Sequence, residues 1–572
     1  MKKEKIWKPF LSFYTRFHIP WLFYILSAIL GIIYAEMVLY IAKITIQVNK
    51  GELYNSVIIG YSLLSVINAI IGGLRAQFNE YGNLIVTLRS QEMLWKKILH
   101  LSQEDIDREK PSELISCITN DLAQASRALS QIFLAISSIY AFVRACMVLY
   151  NYNSTIACYM LLVLPLTVVV FFLVGRIEYT IFLKRYDALN VMTSWFSEHL
   201  AAAKYVKVQT LEEEEIKNGF IAIDSRYHAD VYYAFMQQVQ VLMNAISTKI
   251  EMVIMAIFGS NLIREKKLEA SGINASSTYM EKIDQYKAEL LTGYQVIKAT
   301  QGSLKRVNHI LDLSDEEQEN RKKVDDLSGD IVFDHVKFGY DKEQPILKDV
   351  SFTIPKGKNT AIVGSNGCGK STVLKLMQCF YQPCEGNITI NGCSLKDIDY
   401  NQVRSQFSYV LQNTPLFSGT IRENITYGVK GDVDEKEVIE AAKQADIHDY
   451  IMNLPEGYDT PVKELGTNLS GGQRQRIAIA RALIVKPEYL VFDEATASLD
   501  RSTGKKVMKN VLKNTSSVIY ISHTMEEVQK ADYVIVLKDG FVEACGTPEE
   551  IAVSSETYKA FLGKQKSKEE VK

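Results

Sequence analysis

Long apolar runs fill the first half of the chain, and polar segments of two very different lengths separate them. Five runs have the roughly 20 residues that a helix needs to cross a hydrocarbon core of about 30 Å. They lie at about residues 21–48, 54–78, 131–150, 155–175 and 238–263. The segments 49–53 and 151–154 are short, whereas 79–130 and 176–235 are long and polar. The pattern predicts a helical membrane domain whose helices extend beyond one face of the bilayer.

In a sixth segment, residues 275–301, the apolar residues have the spacing of a helix, but the segment carries too many charges to face lipid. Its apolar residues recur every three or four positions in one narrow stripe: Tyr279, Ile283, Tyr286, Leu290, Tyr294 and Ile297. Each charge at the bilayer centre costs about 2.5–3.5 kcal/mol, so a spanning helix must turn its charged side to water or protein. We predict that this side lines a substrate path, through Glu281, Asp284, Gln285, Glu289 and Thr292.

Charged residues in the other spans could face the same hydrated space: Glu36, Lys43, Arg144, Lys249 and Glu251. Two alternatives stay open. The sixth segment could remain outside the membrane, or its charges could pair with one another for purely structural reasons.

From about residue 330 the pattern changes to short apolar strands that alternate with helices, which is typical of an α/β domain with a parallel sheet. We expect a membrane domain at 1–313, a linker at 314–329, the α/β domain at 330–565 and a tail at 566–572. Residues Trp7–His18 are aromatic and basic, which predicts an amphipathic helix on the inner membrane surface.

A glycine-rich run follows the predicted strand at residues 359–363 and matches the phosphate-binding pattern G-x-x-x-x-G-K-[ST]. Its members are Gly364, Ser365, Asn366, Gly367, Cys368, Gly369, Lys370, Ser371 and Thr372. Glycines let several backbone N–H groups and a helix N-terminus approach one anion. Lys370 can reach the outer phosphates, and the Ser371 hydroxyl can bind Mg²⁺. Because Cys368 lies beside Lys370 and this N-terminus, we expect a reactive thiolate there.

A second group of motifs lies downstream. It begins with the block Leu469, Ser470, Gly471, Gly472 and Gln473. An apolar strand then ends at Asp493 and Glu494, where one carboxylate is placed to hold Mg²⁺ and the other to polarise an attacking water. After these come Ser498, Leu499, Asp500 and an isolated His523. The position of His523 after the paired carboxylates suggests a contact with the γ-phosphate.

With these motifs the chain resembles the ATP-binding cassette (ABC) family, specifically its exporters, whose signature is the LSGGQ block at 469–473. The resemblance implies an α-helical six-span membrane domain followed by an α/β P-loop nucleotide-binding domain. It implies ATP and Mg²⁺ as cofactors, with Lys370, Glu494 and His523 as catalytic residues. Tyr340 resembles the aromatic that stacks on adenine, and Gln412 the glutamine that senses Mg²⁺ and the membrane domain. Residues 498–500 correspond to the D-loop.

Three further segments resemble parts of exporters that join the two domains. Glu113–Asp121 and Glu198–Glu212 resemble coupling regions, and Cys117 stands where arginine is usual. A solvated helical face is the alternative for both. Thr460–Gly466 resembles the loop before the signature, where Lys463 replaces the usual glycine and puts the detail of coupling in doubt.

In this family each ATP lies between the phosphate loop of one nucleotide-binding domain and the signature of another, so a chain with one of each works as a dimer. None of the catalytic positions is degenerate, which favours a homodimer. A heterodimer with a homologous half-transporter remains an alternative.

The amino-acid composition limits the kinds of partner and bound metal that we expect. The net charge of −2 and the absence of a basic stripe argue against nucleic acid. Eight scattered cysteines without a C-x-x-C pair indicate neither a zinc site nor a disulfide framework. The first apolar run is too long for a signal peptide, so we expect a multi-pass protein of a bacterial cytoplasmic membrane. A path with charges of both signs suits a peptide, while lipid or hydrophobic-drug export and an ATP-gated channel or sensor remain alternatives.

Overall fold

The structure is a computed structural model that describes residues 7–49, 55–109, 111–265, 270–316, 321–341, 343–411, 415–496, 498–522 and 524–560. The chain divides into two compact units. The first comprises Met1–Leu101 and Asp105–Asp315, and the second comprises Ser102–Glu104 and Glu316–Lys572.

The first unit is helical throughout its described part. Its helices are α1 (Trp7–Tyr14), α2 (Trp21–Asn49), α3 (Asn55–Leu99), α4 (Gln103–Arg108), α5 (Pro111–Ser116), α6 (Leu122–Tyr152), α7 (Ser154–Ala201), α8 (Ala203–Val208), α9 (Glu212–Arg264) and α10 (Ala270–Asp312). A π-helical turn, Cys117–Asp121, joins α5 to α6. The helix α4 begins inside the short stretch that groups with the second unit.

Four described helical stretches are long and apolar enough to cross a membrane: Trp21–Thr45, Asn55–Leu99, Glu113–Tyr152 and Glu212–Arg264. Three of them far exceed the ~20 residues that a span requires: Asn55–Leu99 has 45 residues, Glu113–Tyr152 has 40 and Glu212–Arg264 has 53. The long polar segments of the sequence are therefore continuations of the spans. The sixth segment also forms one continuous helix, α10, although its composition does not resemble that of a lipid-facing span.

Burial along α10 follows the predicted apolar stripe over its first half. Tyr279, Ile283 and Tyr286 are 2%, 2% and 4% exposed, and Tyr279 and Ile283 lie in a cluster with α2, α6 and α9 residues. Farther along the stripe Tyr294 is 42% exposed. The buried half of the stripe therefore packs α10 against the apolar side chains of the neighbouring helices.

Two aromatic side chains of the helix α1 pack against other helices of the first unit. Phe10 and Phe13 are only 2% and 0% exposed, and they pack with Leu304 and Val307 of α10 and with side chains of α3 and α6. The Tyr14 hydroxyl donates a hydrogen bond of 2.7 Å to the carbonyl oxygen of Ala125. The protein itself therefore covers the face with Phe10 and Phe13, while Leu11 stays 64% exposed. That the helix lies on the inner membrane surface stays a prediction.

The second unit is built on a ten-stranded sheet in the order β5-β4-β1-β2-β12-β11-β3-β10-β9-β6, and β7 and β8 form a separate pair. The strands are β1 (Ile331–Phe338), β2 (Leu347–Ile354), β3 (Thr360–Gly364), β4 (Glu385–Ile390), β5 (Cys393–Ser394), β6 (Phe407–Val410), β7 (Gly419–Thr420), β8 (Pro461–Val462), β9 (Tyr489–Asp493), β10 (Val518–Ile521), β11 (Tyr533–Lys538) and β12 (Phe541–Gly546). The strands β11, β3, β10, β9 and β6 are parallel, so their carboxyl ends meet at one edge.

Helices cover this sheet: α11 (Lys370–Met377), α12 (Tyr400–Ser405), α13 (Ile421–Thr426), α14 (Glu435–Gln444), α15 (His448–Met452), α16 (Gly471–Ile484), α17 (Arg501–Asn514), α18 (Met525–Val528) and α19 (Pro548–Ser554). The strand β9 has four fully buried residues in succession, as expected for a parallel strand with both faces covered. Alternate side chains of β9, such as Leu490 and Val491, enter two different hydrophobic clusters. The sheet is therefore the rigid layer on which the predicted motifs are mounted.

Candidate ATP-binding and hydrolysis site

The glycine-rich run forms the turn between β3 and α11, as its sequence predicted. Gly364, Gly367 and Gly369 have φ angles of 157°, 82° and 106°. A Cβ atom on Gly364 would lie 2.2 Å from the carbonyl oxygen of Leu537, and one on Gly369 would lie 2.4 Å from Leu347. The backbone of the loop can therefore fold this tightly only with glycine at these positions.

The loop fits a phosphate group. No side chain caps the N-terminus of α11, which begins at Lys370, so its first N–H groups have no capping partner from a side chain. The Lys370 ammonium bends back over the loop and donates to the carbonyl oxygens of Gly364 and Ser365, at 3.0 Å each. Backbone N–H groups without a side-chain cap, a helix N-terminus and a lysine at one turn make an anion-binding arrangement.

A cluster of oxygen atoms lies beside the loop. The Ser371 Oγ atom is 3.5 Å from Asp493 Oδ1, and the Tyr409 hydroxyl donates to Asp493 Oδ2 at 3.2 Å. Burial is the main cause that raises the pKa of Asp493 above its usual value, against the opposing effect of these two hydrogen bonds. Carboxylate and hydroxyl oxygens are ligands that Mg²⁺ prefers, so Ser371 and Asp493 fit a magnesium ion.

Glu494 has a strained backbone. Its φ angle is 51°, in the left-handed region that few residues other than glycine adopt, and its N–H donates to the carbonyl oxygen of Ile521 on the neighbouring strand at 3.3 Å. Such strain is common at functional sites, where surrounding structure holds it in place. The turn at Glu494 ends β9 immediately after Asp493, so the two carboxylates lie at the sheet edge next to the loop.

Tyr340 lies two residues after the end of β1 and presents an aromatic ring. The residue is 45% exposed, and its ring packs edge-on against Tyr381 and Phe338, with centroids 5.0 and 5.2 Å away. The Lys375 ammonium lies 5.2 Å from the Tyr340 ring centroid. Two aromatic neighbours hold the ring in place while nearly half of the residue stays exposed, which suits stacking on a base.

The signature block begins α16. Ser470 is the N-cap, and its side chain and that of Gln473 form a reciprocal capping box. Gly472 lies against the predicted D-loop, because a Cβ atom there would be 3.4 Å from both Leu499 and the carbonyl oxygen of Ser498. Asp500 caps α17 by accepting from Ser502 and Thr503, and these bonds hold its pKa below the usual range. The structure thus joins the signature and the D-loop into one surface.

Comparison with known proteins agrees with this arrangement. The model of the ABC transporter transmembrane region matches residues 21–283, and the ABC transporter ATP-binding model matches residues 347–497. A relative in Bacillus subtilis, the uncharacterised ABC transporter ATP-binding protein YfiB, is 30% identical over 90% of this chain and 90% of its own length. The chain belongs to the ABC transporter family.

Other similar members of the family have names that refer to different cargoes. A multidrug resistance ABC transporter ATP-binding and permease protein of Lactococcus lactis is 27% identical over 95% of this chain and 93% of its own length. An ATP-dependent lipid A-core flippase of Saccharophagus degradans is 29% identical over 86% and 85%. A solved bacterial Atm1-family ABC exporter with ATP bound shares the fold, with a TM-score of 0.81, 24% identity, and coverage of 95% of this chain and 97% of that chain.

This ABC transporter is therefore an exporter-type membrane protein whose second unit, here called the ATPase unit, works in the cytoplasm with ATP and Mg²⁺. Its ATP hydrolysis is coupled to transport, and exporters of this type function as dimers. The first unit is the membrane unit.

Two predicted site residues, Gln412 and His523, lie outside the residues that the structure describes. Their predicted roles stay predictions. The sequence also missed a contributor, the Tyr409 hydroxyl, which binds Asp493. The strand pattern of residues 407–410 gave no sign that β6 lies beside β9, and only the pairing of Tyr409 with Val491 brings this hydroxyl to the site.

The expectation of a reactive Cys368 thiolate is wrong for this conformation. Cys368 is 3% exposed, and burial raises the pKa of its thiol even though the Lys370 charge acts in the opposite direction. The loop folds its sulfur inward toward Gly364, so that a Cβ atom on that glycine would lie 2.7 Å from Cys368 Sγ. Desolvation of the thiolate outweighs the neighbouring ammonium.

In the membrane unit, some of the predicted path residues are paired with one another. Lys287 of α10 lies 2.5 Å from Asp284 and 3.5 Å from Glu251 of α9, and the three side chains are only 8%, 15% and 4% exposed. Thr248 of α9 also donates to Asp284, at 2.9 Å. The expectation that Glu251 faces a hydrated space is wrong. For this triad, the alternative of structural pairing holds.

The remaining charges are more accessible. Glu281, Gln285 and Thr292 are exposed, and Glu289, which accepts from Ser138 at 2.8 Å and from Gln285 at 3.3 Å, is half-buried. Arg144 of α6 and Glu36 of α2 form an ion pair of 2.8 Å whose side chains are 39% and 40% exposed. The prediction of a substrate path therefore rests mainly on Glu281, Gln285 and Thr292.

Proposed function

We propose that the protein is a homodimeric exporter that uses ATP to move a polar or charged cargo, with a peptide as the leading candidate, across the cytoplasmic membrane by alternating access. The observation that carries the proposal is the exposed polar side of α10. Glu281 and Gln285 are exposed on a helix whose opposite side, at Ile283 and Tyr286, is buried among membrane helices.

The free-energy cost of placing a charge in lipid explains why the exposed side of α10 favours polar cargo. Charged or amide side chains that faced lipid would cost several kcal/mol in total, on the order of 2.5–3.5 kcal/mol for each charge. They are stable only against water or protein, and a water-filled space between helices accepts polar solutes. The half-exposed Glu36–Arg144 pair supplies both signs of charge to the same bundle of helices.

The ATP site supports a competent dimer. In this proposal Lys370 binds the outer phosphates, and Ser371, Asp493 and Gln412 hold Mg²⁺, which neutralises phosphate charge. Glu494 accepts a hydrogen bond from the attacking water through its carboxylate, and His523 contacts the γ-phosphate. The Leu469–Gln473 signature and the D-loop complete the partner's site. Because the chain carries all these groups, two copies form two competent sites.

Thiol labelling tests the exposed side of α10. In a background without reactive native cysteines, we would place single cysteines at Glu281 and Gln285 and, as matched controls, at Ile283 and Tyr286. Membrane-impermeant maleimide applied from the cytoplasmic side should label the first pair strongly without nucleotide and weakly once ATP closes the inner gate. The control pair should stay protected in both states, because those side chains are only 2% and 4% exposed. Equal labelling at all four positions would contradict the proposal.

A second candidate, export of a hydrophobic or lipid cargo, is favoured by one observation. An open cleft of about 390 Å³ runs along α9 and is lined almost entirely by apolar side chains, among them Ile246, Ile250, Val253 and Ile254, with Lys249 at one side. Relatives named for multidrug resistance and for lipid A-core flipping are consistent with it.

Reconstituted vesicles separate the two candidates. ATP-dependent accumulation and stimulation of ATPase by a panel of charged peptides should exceed those caused by lipids and hydrophobic dyes. Replacing Glu281 with Gln should change the order of preference among peptides, while basal ATPase stays within about three-fold because Glu281 is not part of the ATPase unit. Transport of lipid alone, unaffected by Glu281→Gln, would favour the hydrophobic candidate. Stimulation without accumulation would indicate a gate or sensor.

A further inference from the structure

The segment between the membrane unit and β1 is bound to the ATPase unit along its described length. We call Glu316 and residues 321–329 the strap. Its central residue is Arg321, whose guanidinium stacks 3.7 Å from the ring centroid of Tyr400 and donates to the Tyr400 hydroxyl at 2.5 Å. Arg321 also donates to the carbonyl oxygens of Leu395 and Lys396 at 3.3 and 2.5 Å. A loose linker would not make four such contacts.

A second arginine, on the helix α12, binds the strap through Glu316. Arg404 forms a two-pronged ion pair with Glu316, at 2.8 and 2.5 Å, and donates to the carbonyl oxygens of Gln378 and Cys379. The side chains of the pair are only 27% and 15% exposed. Bidentate arginine–carboxylate pairs fix direction as well as distance.

Main-chain bonds continue the attachment. The Lys322 N–H donates to the carbonyl oxygen of Asp397 at 2.7 Å, and its own carbonyl oxygen accepts from the Asp399 N–H at 3.1 Å. The Gln402 side-chain amide then bonds both the N–H and the carbonyl oxygen of Val324. The strap therefore runs along the start of α12 like an added strand.

The far end of the strap is attached to a different element. Tyr489, the first residue of β9, is fully buried, and its hydroxyl bonds the carbonyl oxygen and the N–H of Gly329. Ser328 donates to Glu488, one residue before β9. Leu327 is 3% exposed in the hydrophobic cluster that contains Tyr489.

These two attachments lie at the beginnings of two neighbouring parallel strands. The helix α12 leads directly into β6, and β6 pairs with β9 from Phe407 opposite Tyr489 to Val410 opposite Phe492. At their other ends the same strands carry the predicted chemistry. Gln412 follows β6 by two residues, and Asp493 is the last residue of β9.

We infer that the strap is a positioning device for the magnesium end of the ATP site. By holding α12 and Tyr489 it fixes the β6–β9 pair, and Arg321 and Tyr400 act on the reaction through Asp493 at the end of β9. Coupling of this kind travels through hydrogen-bond networks and rigid elements.

Kinetics of the full chain in liposomes test the inference without requiring the cargo. Arg321→Ala removes the stacked guanidinium and the hydrogen bonds that it donates to Tyr400, Leu395 and Lys396. We expect kcat for ATP hydrolysis to fall about five-fold, KM for ATP to change less than two-fold, and the half-saturating Mg²⁺ concentration to rise at least three-fold. Tyr400→Phe keeps the ring but removes the hydroxyl, so we expect the same changes at a smaller size.

The control is Glu437→Gln on α14, which removes an exposed ion pair of 2.6 Å with Lys486 in the same unit but away from the strap. Its kinetics should match the unmodified protein. Unchanged kcat and Mg²⁺ dependence in Arg321→Ala would overturn the inference. So would a fall in kcat that only matches the loss of folded protein, with normal Mg²⁺ dependence, since that pattern indicates a purely structural strap. If Arg321→Ala does not fold, Tyr400→Phe decides by the same criteria.

Discussion

The ATP site and the Glu251–Asp284–Lys287 triad both place a lysine beside acidic groups, but the two lysines have different partners. Lys370 is 7% exposed and donates to the main-chain carbonyl oxygens of Gly364 and Ser365, which an arriving anion can replace. Lys287 is also 7% exposed, yet it is already paired with two carboxylates from two helices. Burial and residue type are nearly the same in both places.

The difference teaches that a buried charge indicates a ligand site only when the neighbouring groups do not already neutralise it, so that it can still bind an external ion of opposite charge. At the phosphate loop, the glycine backbone, the N-terminus of α11 without a side-chain cap and Asp493 lie together, an arrangement that suits an anion with Mg²⁺. In the triad, one ammonium and two carboxylates satisfy most of one another's charge, and they join α9 to α10 instead.

The largest expected effect on activity comes from Glu494, the carboxylate proposed to act in ATP hydrolysis. Replacing Glu494 with Gln keeps the shape of the site but removes the group expected to polarise water. We expect ATPase activity to fall about 10²–10⁴-fold, as for loss of a general base, while ATP binding persists. Steady-state hydrolysis and binding of labelled ATP would measure both. Near-normal turnover would remove Glu494 from this role.

The triad predicts a large effect on stability instead of activity. Lys287→Met leaves Glu251 and Asp284 buried without their cation, which costs about 3–5 kcal/mol for a broken buried pair. Glu251→Gln is the matched control, because it removes the carboxylate that exceeds the single ammonium, and its effect should be much smaller. Thermal unfolding of the purified protein in lipid–detergent micelles would compare them. Equal losses would show that the triad is not one charge-balanced unit.

Cysteine reactivity tests whether burial outweighs a nearby lysine. Cys368 is buried and the pKa of its thiol is raised, whereas Cys384 is exposed. Because the thiolate is the reactive form, maleimide at neutral pH should modify Cys384 about ten-fold faster or more. Timed labelling followed by peptide mass spectrometry gives the two rates. Faster modification of Cys368 would mean that the loop opens far more often than its packing indicates.

The smallest expected effect is the pH dependence of stability that Asp493 contributes. Its folded-state pKa is raised by burial, so protonation favours the folded state, and the stability it contributes at low pH is lost as the pH rises through that raised pKa. Asp493→Asn should therefore be slightly more stable than the unmodified protein at pH 7 without nucleotide. The gain should shrink toward pH 4, near the ordinary pKa of aspartate. A gain independent of pH would contradict this origin.

Much of the ATP site was predictable because local sequence sets it. Gly364, Gly367 and Gly369 are spaced for one turn, and Asp493 and Glu494 end a strand whose apolar run is visible in the sequence. The strap was not predictable, since residues 314–329 have the mixed polar composition of a linker. Its contacts with Tyr400 and Tyr489 span 79 and 160 positions, and no local pattern encodes them.

By itself the sequence determined the order of membrane and ATPase segments, the phosphate loop, the signature and the charged face of α10, because glycine spacing, strand length and helical period act over a few residues. Only the tertiary structure decided which charges stay accessible. Asp284 and Glu281 lie on the same helix within one turn of each other, yet Asp284 meets Lys287 and Thr248 while Glu281 is exposed. The helical period says that neither can face lipid. Packing against α9 buries Asp284 beside Lys287 and Thr248, whereas Glu281 stays exposed.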